Sequence, residues 1–303
     1  MSYYKILGFK EEPFSTSPDP DFLYMSRAHD MVITNILIEL RLKRGLQVVY
    51  GNIGTGKTTL SRKLIQELQR RSDISFQIVL NPTFTQEEQL LKSLINNFSI
   101  PFKKNLDLAD RLEMRDSIEK FLISENIRHD RTVVLIIDEA QKLTPQLLET
   151  LRLLLNFETN SFKLFQIILF GQLELCEQIK QMPNFLDRVA FKYHLNSLDQ
   201  NETKAMIEFR IQKAGYSGKY ALFFDEALSE IYEQTSGYPR KINLLCHQIL
   251  MELILQNQNT ADQIFVQEVV NKYNAISPML DDQYRNHRIQ GKESYWRDYS
   301  IIT

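Results

Sequence analysis

One octapeptide constrains this chain more than any other feature: Gly51-Asn52-Ile53-Gly54-Thr55-Gly56-Lys57-Thr58, a match to G-x-x-x-x-G-K-[ST]. It lies between Gln47–Tyr50, which reads as a strand, and Thr58–Arg70, which reads as a helix. A strand that turns through glycines into a helix aims successive backbone N–H groups and the helix's positive end at one spot, where an anion binds. Glycine is needed where the backbone bends sharply and meets the anion without a Cβ. In such a loop Lys57 reaches the β- and γ-phosphates of a nucleotide and the Thr58 hydroxyl helps hold Mg2+. Residues Gly51 to Thr58, with Thr59 in the first helical turn, are the candidate nucleotide contacts.

The rest of the pattern supplies a sheet for that loop. Ile74–Leu80, Thr132–Ile137, Leu164–Phe170 and Phe191–Leu195 read as further strands, with helices expected over Glu87–Phe98, Asp107–Ile127 and Pro145–Asn156. Strands alternating with helices argue for an α/β fold with a parallel sheet flanked by helices on both faces. After Leu195 the strand signal stops, and Glu202–Ala214, Asp225–Gln234, Pro239–Gln256 and Val266–Asn274 read as a small all-helical lid. Residues 1–30 mix turn formers (Pro13, Ser15, Ser17, Pro18, Pro20) with Phe9, Phe14 and Phe22, which predicts an ordered strap lying across a domain surface. The expected division is therefore a strap (1–30), an α/β domain (31–198), a lid (199–275) and a tail (276–303).

A second site signal sits at the end of the most apolar strand, where Val133–Ile137 runs into Asp138-Glu139. Acids at that strand end face the edge where ligands of parallel sheets bind. Asp138 fits a partner of Mg2+, and Glu139 fits a base that polarises an attacking water. The bland reading is a helix N-cap pair. Its position 81 residues beyond Lys57 in a chain with a phosphate loop favours hydrolysis. Gln172, following the strand that ends at Phe170, is a candidate contact for the γ-phosphate or the attacking water. Arg188, before the last strand, and Arg240, opening a lid helix, either supply positive charge to the γ-phosphate or are solvated surface arginines.

Composition narrows the remaining classes. In 303 residues, 36 Lys+Arg against 38 Asp+Glu give a net charge of −2, which excludes a uniformly basic protein but allows a local basic patch. Two cysteines, Cys176 and Cys246, make neither a disulfide framework nor a zinc site, and they read with His194 and His247 as packing residues. His129 and Asp130 read as a solvated loop. No apolar run approaches the roughly 18 residues of a membrane span, so a cytoplasmic protein is expected. Basic runs at 41–44 and 69–71 read as wet helix ends, with contact to phosphodiester as the alternative.

In order and spacing the chain resembles AAA+ ATPases of the general secretion pathway protein A (ExeA-like) family. The resemblance is carried by YYKILGFKEEPFSTSPDPDFLYMSRAH at 2–29, YGNIGTGKTTL at 50–60, DEAQ at 138–141 and LETLRLLLNFET at 148–159. It continues through QIILFGQLEL at 166–175, RVAFKYHLNSL at 188–198 and SGYPRKINLLC at 236–246. It implies ATP and Mg2+ as ligands, a P-loop core with a helical lid, and subunits that assemble into rings or filaments. By position, Arg188 resembles the arginine finger that reaches a neighbour's nucleotide, Gln172 the first sensor and Arg240 the second. The secretion proteins of this family continue into a membrane span and a periplasmic domain, and this sequence reads as the motor portion alone. Short ATPases of this form are also similar to transposition regulators of the MuB and TnsC kind, which assemble on double-stranded DNA. The resemblance thus implies an ATPase that assembles or remodels a protein partner, with a DNA-bound regulator as the alternative.

Overall fold

The protein is described by a computed structural model over residues 3–102, 105–106 and 109–276. Its centre is a five-stranded, wholly parallel sheet in the order β2-β3-β4-β1-β5. The strands are β1 (Leu46–Tyr50), β2 (Ile74–Val79), β3 (Thr132–Ile137), β4 (Phe165–Gly171) and β5 (Val189–His194). β3 and β4 are buried along their whole length, as their unbroken apolar sequences require of central parallel strands. β5 alternates half-buried Val189, Phe191 and Tyr193 with exposed Ala190, Lys192 and His194, the pattern of an edge.

Each face of the sheet carries its own apolar core. On one side Leu135, Ile137, Ile167 and Leu169 pack with α4 (Glu87–Asn97), α5 (Arg111–Ile123) and α6 (Pro145–Leu154). On the other, Val49, Val134, Ile136 and Phe170 pack with α2 (Arg27–Arg41) and α3 (Lys57–Gln69). Two short helices, α7 (Leu173–Lys180) and α8 (Pro183–Leu186), lead from β4 to β5. Neither is apparent from the sequence, because one or two turns are too short for a periodic signal.

The lid consists of α9 (Gln200–Lys213), α10 (Asp225–Thr235), α11 (Pro239–Leu255) and α12 (Gln263–Ile276). α9 begins two residues before its apolar pattern because Asp199 and Glu202 form a reciprocal capping box. The strap, which opens with α1 (Tyr3–Ile6), is part of the lid's core: Phe9, Phe14 and Phe22 pack with Ile207, Ile242 and Leu250. Arg210 of α9 is 6% exposed and donates to the carbonyls of Pro13 (2.7 Å), Phe22 (2.9 Å) and Ser15 (3.1 Å). Arg62 of α3 also donates to the Pro18 carbonyl, so the strap touches both lid and α/β core.

The helix expected over Asp107–Ile127 is shorter than its apolar spacing. Asp110 caps α5 by accepting from the Glu113 N–H at 2.8 Å, and the helix widens into a π-type turn over Ser124–Arg128. Asp107, Leu108 and the tail from 277 onward lie outside the described residues.

Candidate active site

Because the strands are parallel, the segments following β1, β3 and β4 all emerge at one edge. The Gly51–Thr58 loop leaves β1, Asp138-Glu139 leaves β3 and Gln172 leaves β4. The loop is pinned by the Gly51 N–H, which donates to the Gly171 carbonyl at 3.2 Å. A Cβ at Gly51 would stand 2.3 Å from the Leu195 carbonyl oxygen, so no other residue fits there. Gly56, at φ +94°, turns the chain into α3, whose first N–H groups have no side-chain cap.

Lys57 is 8% exposed, and its ammonium donates to the carbonyls of Gly51 and Asn52, each at 2.7 Å. Burial lowers its pKa to about 8, with the charges of Glu139 and Asp138 acting in the opposite direction. Asp138 is likewise buried, which raises its pKa against the stabilising hydrogen bonds of the Glu139 N–H and the Thr58 hydroxyl. The Ser61 hydroxyl stands 3.5 Å from Asp138 Oδ2. Glu139 takes a left-handed backbone at φ +55°, unusual for a residue with a side chain. The Glu139 N–H donates to Asp138 Oδ1 at 2.9 Å.

Two amides converge on the Glu139 carboxylate. Gln141 Nε2 donates to Oε2 at 2.6 Å and Gln172 Nε2 to the same oxygen at 3.4 Å. Gln172 therefore stands beside the acid pair. Gln141, within the DEAQ stretch, was not among the sequence candidates; its only signal is a polar residue two positions beyond the acid.

The lid meets the loop from above. The Arg240 N–H donates to the Gly54 carbonyl at 3.2 Å, and Asn52 Nδ2 donates to the Tyr238 hydroxyl at 2.9 Å. A Cβ on Gly54 would lie 3.1 Å from Arg240 Cβ, so the stem of this exposed arginine lies on the loop. Within the loop, Thr55 is buried with its hydroxyl donating to the Asn52 carbonyl at 2.9 Å, whereas Ile53 is exposed.

Arg188 is not in this cluster. It precedes β5 at the opposite edge of the sheet, where Val189 pairs with Leu46 at the start of β1. The length of β1, about 17 Å at strand rise, separates that end from the loop. There Arg188 adds to Lys163 in holding the Glu158 carboxyl below its usual range.

A second contact that the sequence reading missed is His29 of α2. It is 2% exposed, and its Nε2 is 3.4 Å from where a Gly56 Cβ would stand. The remaining candidates have structural partners. Cys176 and Cys246 are buried, His194 stacks on Tyr50 at 5.0 Å, and His247 Nδ1 pairs with the Tyr3 hydroxyl at 2.8 Å. Arg44, Arg70 and Arg71 pair with Glu39, Glu67 and Asp73, and Lys43 lies over the Phe162 ring.

Comparison with known proteins agrees with this geometry. A family model described as an AAA domain matches residues 40–179. General secretion pathway protein A of Aeromonas hydrophila is 37% identical over 251 residues, covering 82% of this chain and 44% of that protein. A Staphylococcus aureus "potential ATP-binding protein" is 24% identical over 220 residues, covering 67% of this chain and 78% of that one. Among solved structures, Aeropyrum pernix ORC2 superposes with a TM-score of 0.63 at 16% identity, over 87% of this chain and 72% of that one. The Thermotoga maritima RuvB branch migration motor gives 0.52 at 16% identity, over 81% and 69%. Fold and site together define an AAA+ P-loop protein. Within that class the chain belongs to the general secretion pathway protein A (ExeA-like) family, and it spans less than half the length of its Aeromonas relative.

Proposed function

We propose that this protein binds and hydrolyses ATP at interfaces between its own subunits, and that the cycle assembles or remodels a protein partner. The observation that carries the reading is the convergence of Lys57, Asp138 and Glu139 at one sheet edge beneath Tyr238 and Arg240 of the lid. Backbone N–H groups of Gly54–Thr58 cradle the phosphates and Lys57 turns from the Gly51 and Asn52 carbonyls to the β- and γ-phosphates. Thr59, one residue further into α3, adds its N–H beside the α-phosphate.

Thr58 and Asp138 form a pair of hard oxygen ligands, already joined by a hydrogen bond. Among the described residues no three His, Cys, Asp or Glu side chains form a metal cage. An oxygen pair that leaves other positions to phosphates and water suits Mg2+. The bound ion would neutralise charge accumulating on the phosphoryl oxygens. Glu139 accepts a proton from the attacking water; neither amide bond to Oε2 engages its Oε1. Gln172 orients that water, and Arg240 answers the γ-phosphate by moving the lid it opens.

Arg188 faces away from its own nucleotide, which fits donation to a neighbour's site in a ring or filament. The secretion-pathway relative supports a protein partner in envelope assembly. The basic residues that a DNA-bound regulator would need are mostly paired with acids, so the protein-remodelling reading is favoured. Among the described residues no helix is long and apolar enough to cross a membrane, and we assign the motor to the cytoplasm, where ATP is available.

Single-turnover hydrolysis of Mg-ATP by wild type and Glu139→Gln tests the reading. Loss of the base slows turnover by roughly 10²-fold or more with nucleotide binding retained; equal rates would remove Glu139 from that role.

A further inference from the structure

We propose that Tyr238 is a positioning residue for hydrolysis: its hydroxyl, held by the side chain of Asn52, seats the first turn of α11 so that Arg240 is presented to the phosphate loop. The inference deepens the ATPase reading above and rests on it.

Three contacts fix the start of α11, one from the segment between β5 and the lid and two from the phosphate loop. Gly237 lies in the left-handed region at φ +71°, and a Cβ there would stand 1.9 Å from the Leu198 carbonyl oxygen. The Leu198 N–H donates to the Gly237 carbonyl at 2.9 Å, so this turn is closed against the segment that leads from β5 into α9. Asn52 Nδ2 donates to the Tyr238 hydroxyl at 2.9 Å, and the Arg240 N–H donates to the Gly54 carbonyl at 3.2 Å. The contacts of Gly237 and Gly54 are made by backbone. Of the three, the bond between Asn52 and Tyr238 is the one that side chains make.

Tyr238 is the residue before α11, and Pro239 and Arg240 are its first two residues. Proline locks its own φ, so an anchor on Tyr238 sets the direction in which the helix starts and the place from which the Arg240 side chain extends. A long arginine reaches a reacting group with the right geometry only when its stem is held, and a displacement of about 1 Å at such a group is costly.

Asn52 is also tied to the lysine of the loop. Its carbonyl accepts from Lys57 Nζ at 2.7 Å and from the Thr55 hydroxyl at 2.9 Å, while its side chain reaches the lid. One residue thus joins the group that grips the phosphates to the turn that carries Arg240. In the proposed cycle Lys57 leaves that carbonyl for the β- and γ-phosphates, and the change at Asn52 reaches Arg240 through Tyr238.

The test is single-turnover hydrolysis and equilibrium binding of Mg-ATP by wild type, Tyr238→Phe, Asn52→Ala, Arg240→Ala and the double variant Tyr238→Phe/Arg240→Ala. Phenylalanine keeps the ring and removes the hydroxyl. Turnover should fall about fivefold to tenfold, with ATP affinity changed by no more than about twofold. Asn52→Ala removes the same bond from the loop side and should reproduce the loss of turnover. Because Tyr238 acts through Arg240, Tyr238→Phe should cost nothing further once Arg240 is alanine. Unchanged turnover in Tyr238→Phe, a loss confined to affinity, or equal costs with and without Arg240 each overturns the positioning role and leaves the ATPase reading standing. Wild type without turnover overturns both. Should Tyr238→Phe fail to fold, the same cycle run with Asn52→Ala decides.

Discussion

Gln141 Nε2 donates to Glu139 Oε2 at 2.6 Å while Gln141 Oε1 accepts from the Gln172 N–H at 3.1 Å, so one side chain braces the ends of β3 and β4 against each other. It fixes the rotamer of an acid whose backbone is already in the left-handed region. Gln141→Ala is expected to slow hydrolysis about tenfold or more through lost orientation of Glu139, with ATP affinity unchanged. Single-turnover rates beside equilibrium binding separate the two quantities, and a loss confined to affinity would contradict the bracing role.

Lys57 carries the most direct pH signature. Its pKa of about 8 means that the amine is charged below that pH and increasingly neutral above it. Only the charged form grips a triphosphate, so affinity should fall as pH rises beyond about 8, approaching tenfold per unit, with proton uptake on binding. Titration calorimetry in buffers of different ionisation enthalpy measures that uptake. Lys57→Ala should weaken binding by about 10²-fold or more and lose the pH slope.

One buried guanidinium gathers three carbonyls of the strap. Burial lowers the Arg210 pKa to about 10, which leaves it charged at neutral pH as it donates to the carbonyls of Pro13, Ser15 and Phe22. Arg210→Ala leaves those carbonyls short of a donor and should destabilise the protein by about 3 kcal/mol. Arg210→Lys keeps the charge but not the fork and should recover little of it. Urea unfolding midpoints measure both.

Local signals made the site's centre legible in the sequence. Glycines with one required conformation, a Lys-Thr pair at a helix start and acids after an unbroken aliphatic strand each follow from chemistry confined to a few residues. The parallel sheet followed from alternation, and strand order then brought Gln172 to Glu139. What stayed hidden depends on contacts between distant segments. His29, within the 1–30 strap, acquires a neighbour in the phosphate loop only when α2 is laid against Gly56, 27 residues further along the chain. Gln141 gains its role only when β4 is beside β3. The strap's turn residues gave its irregularity, but its membership of the lid core comes from contacts with helices nearly 200 residues away, Phe14 among lid side chains and Arg210 on the Pro13 carbonyl.

Arg188 tests the shared site most directly, because it stands at the sheet edge remote from its own phosphate loop. Arg188→Ala should bind ATP normally and hydrolyse it roughly 10³-fold more slowly, the value of a finger supplied by a neighbour. The decisive measurement is steady-state ATPase of Arg188→Ala mixed with Glu139→Gln. Each is inactive alone, but a mixed interface joins an intact Glu139 site on one subunit to an intact Arg188 on the next. Activity well above the sum of the two, greatest near equal amounts, is the expected result. A mixture no more active than its parts would contradict a nucleotide site shared between subunits.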